Sequence, residues 1–171
     1  MNVLKYLTLF LLLIASSSWQ TPLNVQDRLP NIQVQNLDGQ PVNIRSLHEP
    51  GKLMLISFWA TWCKPCIKEL NAVNDLLEDW QEEIDVKVVA ISIDDARSFS
   101  RVRPFISGRG WEMPVYLDLN SDLKRALGVN NIPHVFILDA EGNIVWQHTS
   151  YTMGDEEEYF TVLKRLSLKN E

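Results

Sequence analysis

Two cysteines are the only thiols in the chain, and they stand two residues apart in Cys63-Lys64-Pro65-Cys66. A pair so close encloses too short a loop to staple a fold, because disulfide stabilisation grows with the length of chain enclosed. Redox chemistry asks for this spacing: one ionised thiol to attack a disulfide, and a second within reach to resolve the mixed disulfide that results. The other reading of C-x-x-C is half a zinc site, but zinc takes about four ligands. No further cysteine exists, and His48, His134 and His148 lack paired ligand spacing. The expectation is a dithiol centre with no metal and no cofactor beyond the redox-active Cys63-Cys66 disulfide.

The pair must sit at the start of a helix. Beyond it Cys66, Ile67, Leu70, Val73, Leu76, Leu77 and Trp80 recur at spacings of three and four, which is the amphipathic helical period. Pro65 suits the first turn, where its missing N–H costs nothing. There Cys63 faces unpaired backbone N–H groups and the positive end of the helix dipole, and Lys64 adds charge, all of which favour thiolate. Cys66, one turn further in, is expected to be the more buried. Cys63 is accordingly assigned as nucleophile and Cys66 as resolver. Glu69, three residues on, shares the helical face of the resolving thiol; a solvated first-turn acid is the simpler reading of it.

The elements around this helix follow from periodicity. Leu53 to Trp59 is a nearly continuous apolar run, as in a strand covered on both faces, and it leads directly to Cys63. Upstream, Ile32 and Val34 alternate with polar residues, Asp38-Gly39 supplies a turn, and Val42 and Ile44 resume the alternation, giving an N-terminal hairpin. Downstream come a buried strand Val86 to Ile93, a surface helix Arg97 to Ser107 interrupted near Pro104, a short strand Val115 to Leu117 and a brief helix ending at Leu127. Asp94, Asp95 and the Asp118 to Asp122 stretch read as helix caps. Strands Val135 to Leu138 and Ile144 to Gln147 flank a turn at Gly142, and a last helix runs from about Glu156 to Leu168. The fold class is α/β, a mixed central sheet flanked by helices.

Two segments carry a family resemblance. Phe58-Trp59-Ala60-Thr61-Trp62-Cys63-Lys64-Pro65-Cys66 resembles the active-site segment of thioredoxins, especially the exported TlpA/ResA-like branch. Gly128-Val129-Asn130-Asn131-Ile132-Pro133, followed by an apolar strand and Asp139-Ala140-Glu141-Gly142, resembles the loop bearing that family's cis-proline. The resemblance spans roughly residues 27 to 150 and implies a thioredoxin fold with an N-terminal hairpin extension and an inserted helix-strand segment. It implies a cis Ile132-Pro133 bond beside the cysteines, with the Ile132 backbone open to an extended substrate; a non-redox reading is that Pro133 merely starts a strand. It implies proton transfer by Glu69. Trp62 is a substrate contact or cover for the site, Trp59 is core, and His134 belongs to the site's rim or to a hydrogen-bonded strand.

Two positions depart from the family pattern. Cytoplasmic thioredoxins carry a buried aspartate six residues before the first cysteine; here that position is Ser57, which moves the acid–base burden toward Glu69. Asn71 stands where the branch commonly has a helix-kinking proline, so a straighter helix is expected.

Lys5 ahead of the apolar run Tyr6 to Ala15, then Ser16 to Ser18, reads as a signal peptide over residues 1–18, a leader over 19–26 and one domain over 27–171. The run is about half the length needed to span a bilayer, so a retained anchor is the minor alternative. The net charge of -6 argues against nucleic acid or an anionic membrane surface as partner. The expected activity is reduction of disulfides in periplasmic or otherwise exported client proteins, with apocytochrome c one candidate client. The resemblance implies a membrane thiol-transfer protein as electron donor. Two rivals are a peroxiredoxin-like peroxidase, disfavoured by Ala60 three residues before Cys63 where that family has Thr or Ser, and a peptide-binding module without redox turnover.

Overall fold

The computed structural model describes residues 28–169. The signal peptide, the leader and the first residue of the expected domain lie outside them. Seven strands form one mixed sheet: β1 (Gln33–Gln35), β2 (Pro41–Asn43), β3 (Leu53–Trp59), β4 (Val86–Ser92), β5 (Val115–Leu117), β6 (His134–Leu138) and β7 (Ile144–Thr149). Their order is β2-β1-β5-β4-β3-β6-β7. The β3–β4 and β4–β5 pairs are parallel and the others antiparallel. Among the described residues the sheet is accompanied by four helices, α1 (Lys64–Glu83), α2 (Val102–Ser107), α3 (Asp122–Ala126) and α4 (Asp155–Ser167), together with 3-10 turns at Ile44–Leu47 and Phe99–Arg101.

The central strand β3 is buried along its whole length, and its pleat divides the core. Leu53, Leu55 and Trp59 pack with Leu70, Val73, Leu77 and Trp80 of α1 and with Tyr159 and Leu163 of α4. Met54, Ile56 and Phe58 point the other way, to Ile44, Leu47, Leu123 and Leu127. Alternation thus turns Ser57 toward the α1 side.

Two local expectations are corrected, those for Pro104 and Asp94, and those for the Asp118 to Asp122 stretch and Asn71 hold. Pro104 interrupts nothing: it is the third residue of α2, where no N–H is required of it, and the change of winding falls between Phe99–Arg101 and Val102. Asp95 behaves as expected, accepting from the Arg97 and Ser98 N–H groups, but Asp94 caps no helix. For α3 the acceptor is Asp118, which takes the Leu123 and Lys124 N–H groups while Ser121 makes no side-chain cap bond. Asn71 leaves α1 a continuous helix of 20 residues, and its Oδ1 accepts from the Trp111 indole at 2.8 Å.

Candidate active site

The loop from β3 to α1 delivers the cysteines. Cys63 is the N-cap of α1 in extended conformation, its Sγ accepting from the Cys66 N–H at 3.3 Å, and Pro65 lies within the first two helical positions. Cys63 and Cys66 are joined in a disulfide with Cα atoms 5.3 Å apart. In this oxidised form Cys63 keeps 5% of its surface exposed and Cys66 none, the order expected from their places in the helix.

Glu69 is not a solvated first-turn acid. It is fully buried on the sheet-facing side of α1. The Ser57 hydroxyl donates to its Oε2 at 2.6 Å and the Tyr159 hydroxyl donates to its Oε1 at 2.8 Å. Burial penalises the charged form and outweighs both donors, and nearby Asp155 and Glu156 repel a further charge; its pKa is pushed up to about 7. Burial and the Glu69 carboxylate push the Tyr159 phenol upward as well, so Tyr159 acts as a fixed donor.

A second buried carboxylate holds the approach to Cys63. Asp94, at the end of β4 and fully buried, accepts from the Thr61 N–H at 2.8 Å, the Thr61 hydroxyl at 2.7 Å and the Ser92 hydroxyl at 2.9 Å. The residue two before the first cysteine is thereby tied to the neighbouring strand.

The aromatic residues divide as expected: Trp59 is fully buried against Phe105 and Trp111, and Trp62 is 63% exposed beside Cys63. The Trp59 indole N–H is buried without a hydrogen-bond partner among the described residues. The Ile132-Pro133 bond is cis, and Ile132 stands just outside β6, whose ladder begins at His134. His134 is a hydrogen-bonded strand residue, with Nε2 3.2 Å from Gln147 Oε1 and Nδ1 2.9 Å from Thr149 Oγ1. Burial holds its pKa below the ordinary histidine value.

Sequence reasoning missed Tyr159 and Asp94 as parts of the site, and it treated Ser57 only as a lost aspartate. A signal for Tyr159 was present: it shares a helical stripe with Val162 and Leu163, and a tyrosine on a buried stripe needs a partner for its hydroxyl. Among the described residues no group of three His, Cys, Asp or Glu side chains is placed to hold a metal ion.

A family model for the AhpC/TSA family matches residues 25–147. The thiol-disulfide oxidoreductase ResA of Bacillus thuringiensis (strain Al Hakam) is 30% identical over 125 residues, covering 73% of this chain and 69% of that protein. A thioredoxin-like protein from Porphyromonas gingivalis of known structure is 43% identical, with a TM-score of 0.75 over 84% of this chain and 94% of that one. A structure named for the thiol:disulfide interchange protein DsbE of Chlorobium tepidum superposes with a TM-score of 0.68 over 84% of this chain and 95% of that one; at 24% identity it speaks to the fold alone. With a Cys63-x-x-Cys66 pair at the head of α1 and these relatives, the chain belongs to the AhpC/TSA family and is a thioredoxin-fold thiol-disulfide oxidoreductase.

Proposed function

We propose that the chain is an exported reductase of protein disulfides. In its reduced form the Cys63 thiolate attacks a client disulfide, forming a mixed disulfide and releasing one client thiolate. Cys66, deprotonated, then displaces the second client sulfur. The client leaves with both sulfurs reduced, and the enzyme holds the Cys63–Cys66 disulfide. No cofactor beyond this disulfide and no metal is required.

The observation that carries this reading is the Glu69 carboxyl, buried one turn beyond Cys66 and with its pKa pushed up to about 7. A group that loads and unloads a proton near neutral pH suits a base for the resolving thiol. Ser57 and Tyr159 hold it in one orientation through separate oxygens. Trp62, Ile132 and Pro133 take the role of client contacts, Ile132 through its backbone.

Export rests on Lys5 and the apolar run before Ser16 to Ser18. Among the described residues no helix is long and apolar enough to cross a membrane. An exported reductase needs electrons from the cytoplasmic side, so a membrane thiol-transfer protein is the proposed donor and disulfide-bearing proteins outside the cytoplasm are the proposed clients.

Equilibration with glutathione buffers tests the direction. A potential well below about -150 mV is expected, and one at or above it marks an oxidant. Replacing Cys66 by alanine should strand Cys63 in mixed disulfides with clients; a Cys66→Ala protein that forms none speaks against Cys63 as the nucleophile.

A further inference from the structure

Beside the redox pair runs a groove of about 620 Å³ between the outer face of α1 and the connection from β7 to α4. Its lining is mostly apolar, and its charges are two lysines and one aspartate on α1, with Glu156 on the opposite wall. Lys64 and Lys68, one helical turn apart, stand at the end nearest the cysteines. Asp75 lies seven residues further along the same helix, roughly 10 Å at 1.5 Å per residue. Ala72, Tyr151 and Met153 line the groove with them. Both lysines are exposed, and among the described residues neither makes a salt bridge, although eight ion pairs involve other residues.

The opposite wall is fixed before any partner arrives. Glu156 Oε2 accepts from the Tyr151 hydroxyl at 2.8 Å and from the Gly154 N–H at 3.0 Å, and Asp155 Oδ2 accepts from the Thr152 N–H at 2.7 Å. That wall presents Met153, 84% exposed, and Trp62, next to Cys63 in the chain, is 63% exposed. Exposed large apolar side chains near a reactive pair mark a surface that another molecule covers.

We infer that this groove selects, as its occupant, a client polypeptide segment with acidic residues beside its cystine and an apolar side chain further along. The inference rests on the reductase reading. The two unpaired lysines at the cysteine end supply charge complementarity to the acids, and the apolar stretch at Ala72, Tyr151 and Met153 receives the apolar side chain. The net charge of -6 opposes acidic partners at long range, but at about 0.15 M salt screening acts over about 8 Å, so the charges within the groove decide.

Two synthetic peptides test the inference, each closed by one cystine and differing only in carrying aspartates or lysines beside it. Glutathione disulfide serves as a small probe. At about 0.15 M salt the reduced full chain should reduce the acidic peptide about tenfold faster, and the ratio should fall toward one at about 1 M. Lys68→Gln, which leaves Lys64 in place, should reduce the preference, and Lys68→Glu, which brings the pair to no net charge, should abolish it. Equal rates for the two peptides, with glutathione disulfide reduced, overturn the docking inference alone; so does a preference that survives Lys68→Glu. Failure to reduce peptides and glutathione disulfide alike overturns the reductase reading together with it.

Discussion

The Ser57 hydroxyl donates a 2.6 Å hydrogen bond to Glu69, joining the strand that leads into the cysteine pair to the helix that leads out of it. The buried acid of this site stands on the helix, and the strand supplies the hydroxyl that orients it. The consequences can be measured.

Glu69 should make stability fall with rising pH. Its pKa is raised in the folded chain from 4.5 to about 7, so between those values the folded state holds a proton that the unfolded state has lost. The contribution is fully present below about 4.5 and is lost as pH rises through about 7, on the order of 3 kcal/mol in all. Urea denaturation of the oxidised protein across this range should show the slope, and Glu69→Gln should flatten it. An unchanged slope in the variant would place the titration elsewhere.

Tyr159→Phe removes a buried donor from Glu69 Oε1. About 1–3 kcal/mol of stability should go with it. Because that hydrogen bond lowers the Glu69 pKa, the carboxyl should titrate above its wild-type value in Tyr159→Phe, as followed by NMR. A downward movement would contradict the geometry.

Asp94→Ala should cost about 2–4 kcal/mol, since it leaves the Thr61 N–H and two hydroxyls without their acceptor. Hydrogen exchange localises the effect: the Thr61 amide should lose protection, while amides in the middle of α1 change only with global stability. Asn at this position retains an acceptor oxygen and should restore part of the protection.

Trp59→Phe should be mild for a fully buried tryptophan. The indole N–H has no partner among the described residues, so the substitution removes an unsatisfied donor along with the second ring. The expected cost is under about 2 kcal/mol, against about 3–5 for Trp→Ala. Thermal unfolding of both variants gives the comparison.

The parts of the fold that were legible in sequence are those written in local period. The apolar run Leu53–Trp59 is β3 residue for residue, and the spacing from Cys66 to Trp80 gives the buried stripe of α1. Residues whose role is set by distant partners were not legible. Asp94 after a strand looks like any capping aspartate until Thr61, 33 residues earlier, is seen at its carboxylate. Glu69 on a helix face carries no mark of full burial; that depends on which elements cover α1. Pro104 misled because proline breaks helix interiors but suits first turns, and the start of α2 was not visible in the pattern.

The contact between Glu69 and Tyr159 spans 90 residues of chain. Synthesis runs from the N-terminus, so both cysteines and their buried acid are made long before the helix that supplies Tyr159. Until α4 docks, the Glu69 side of the redox helix lies open to water, where a carboxyl ionises at its ordinary value. The newborn chain therefore carries its thiols well before it carries the acid–base environment of the finished enzyme, and maturation of the centre awaits the last helix.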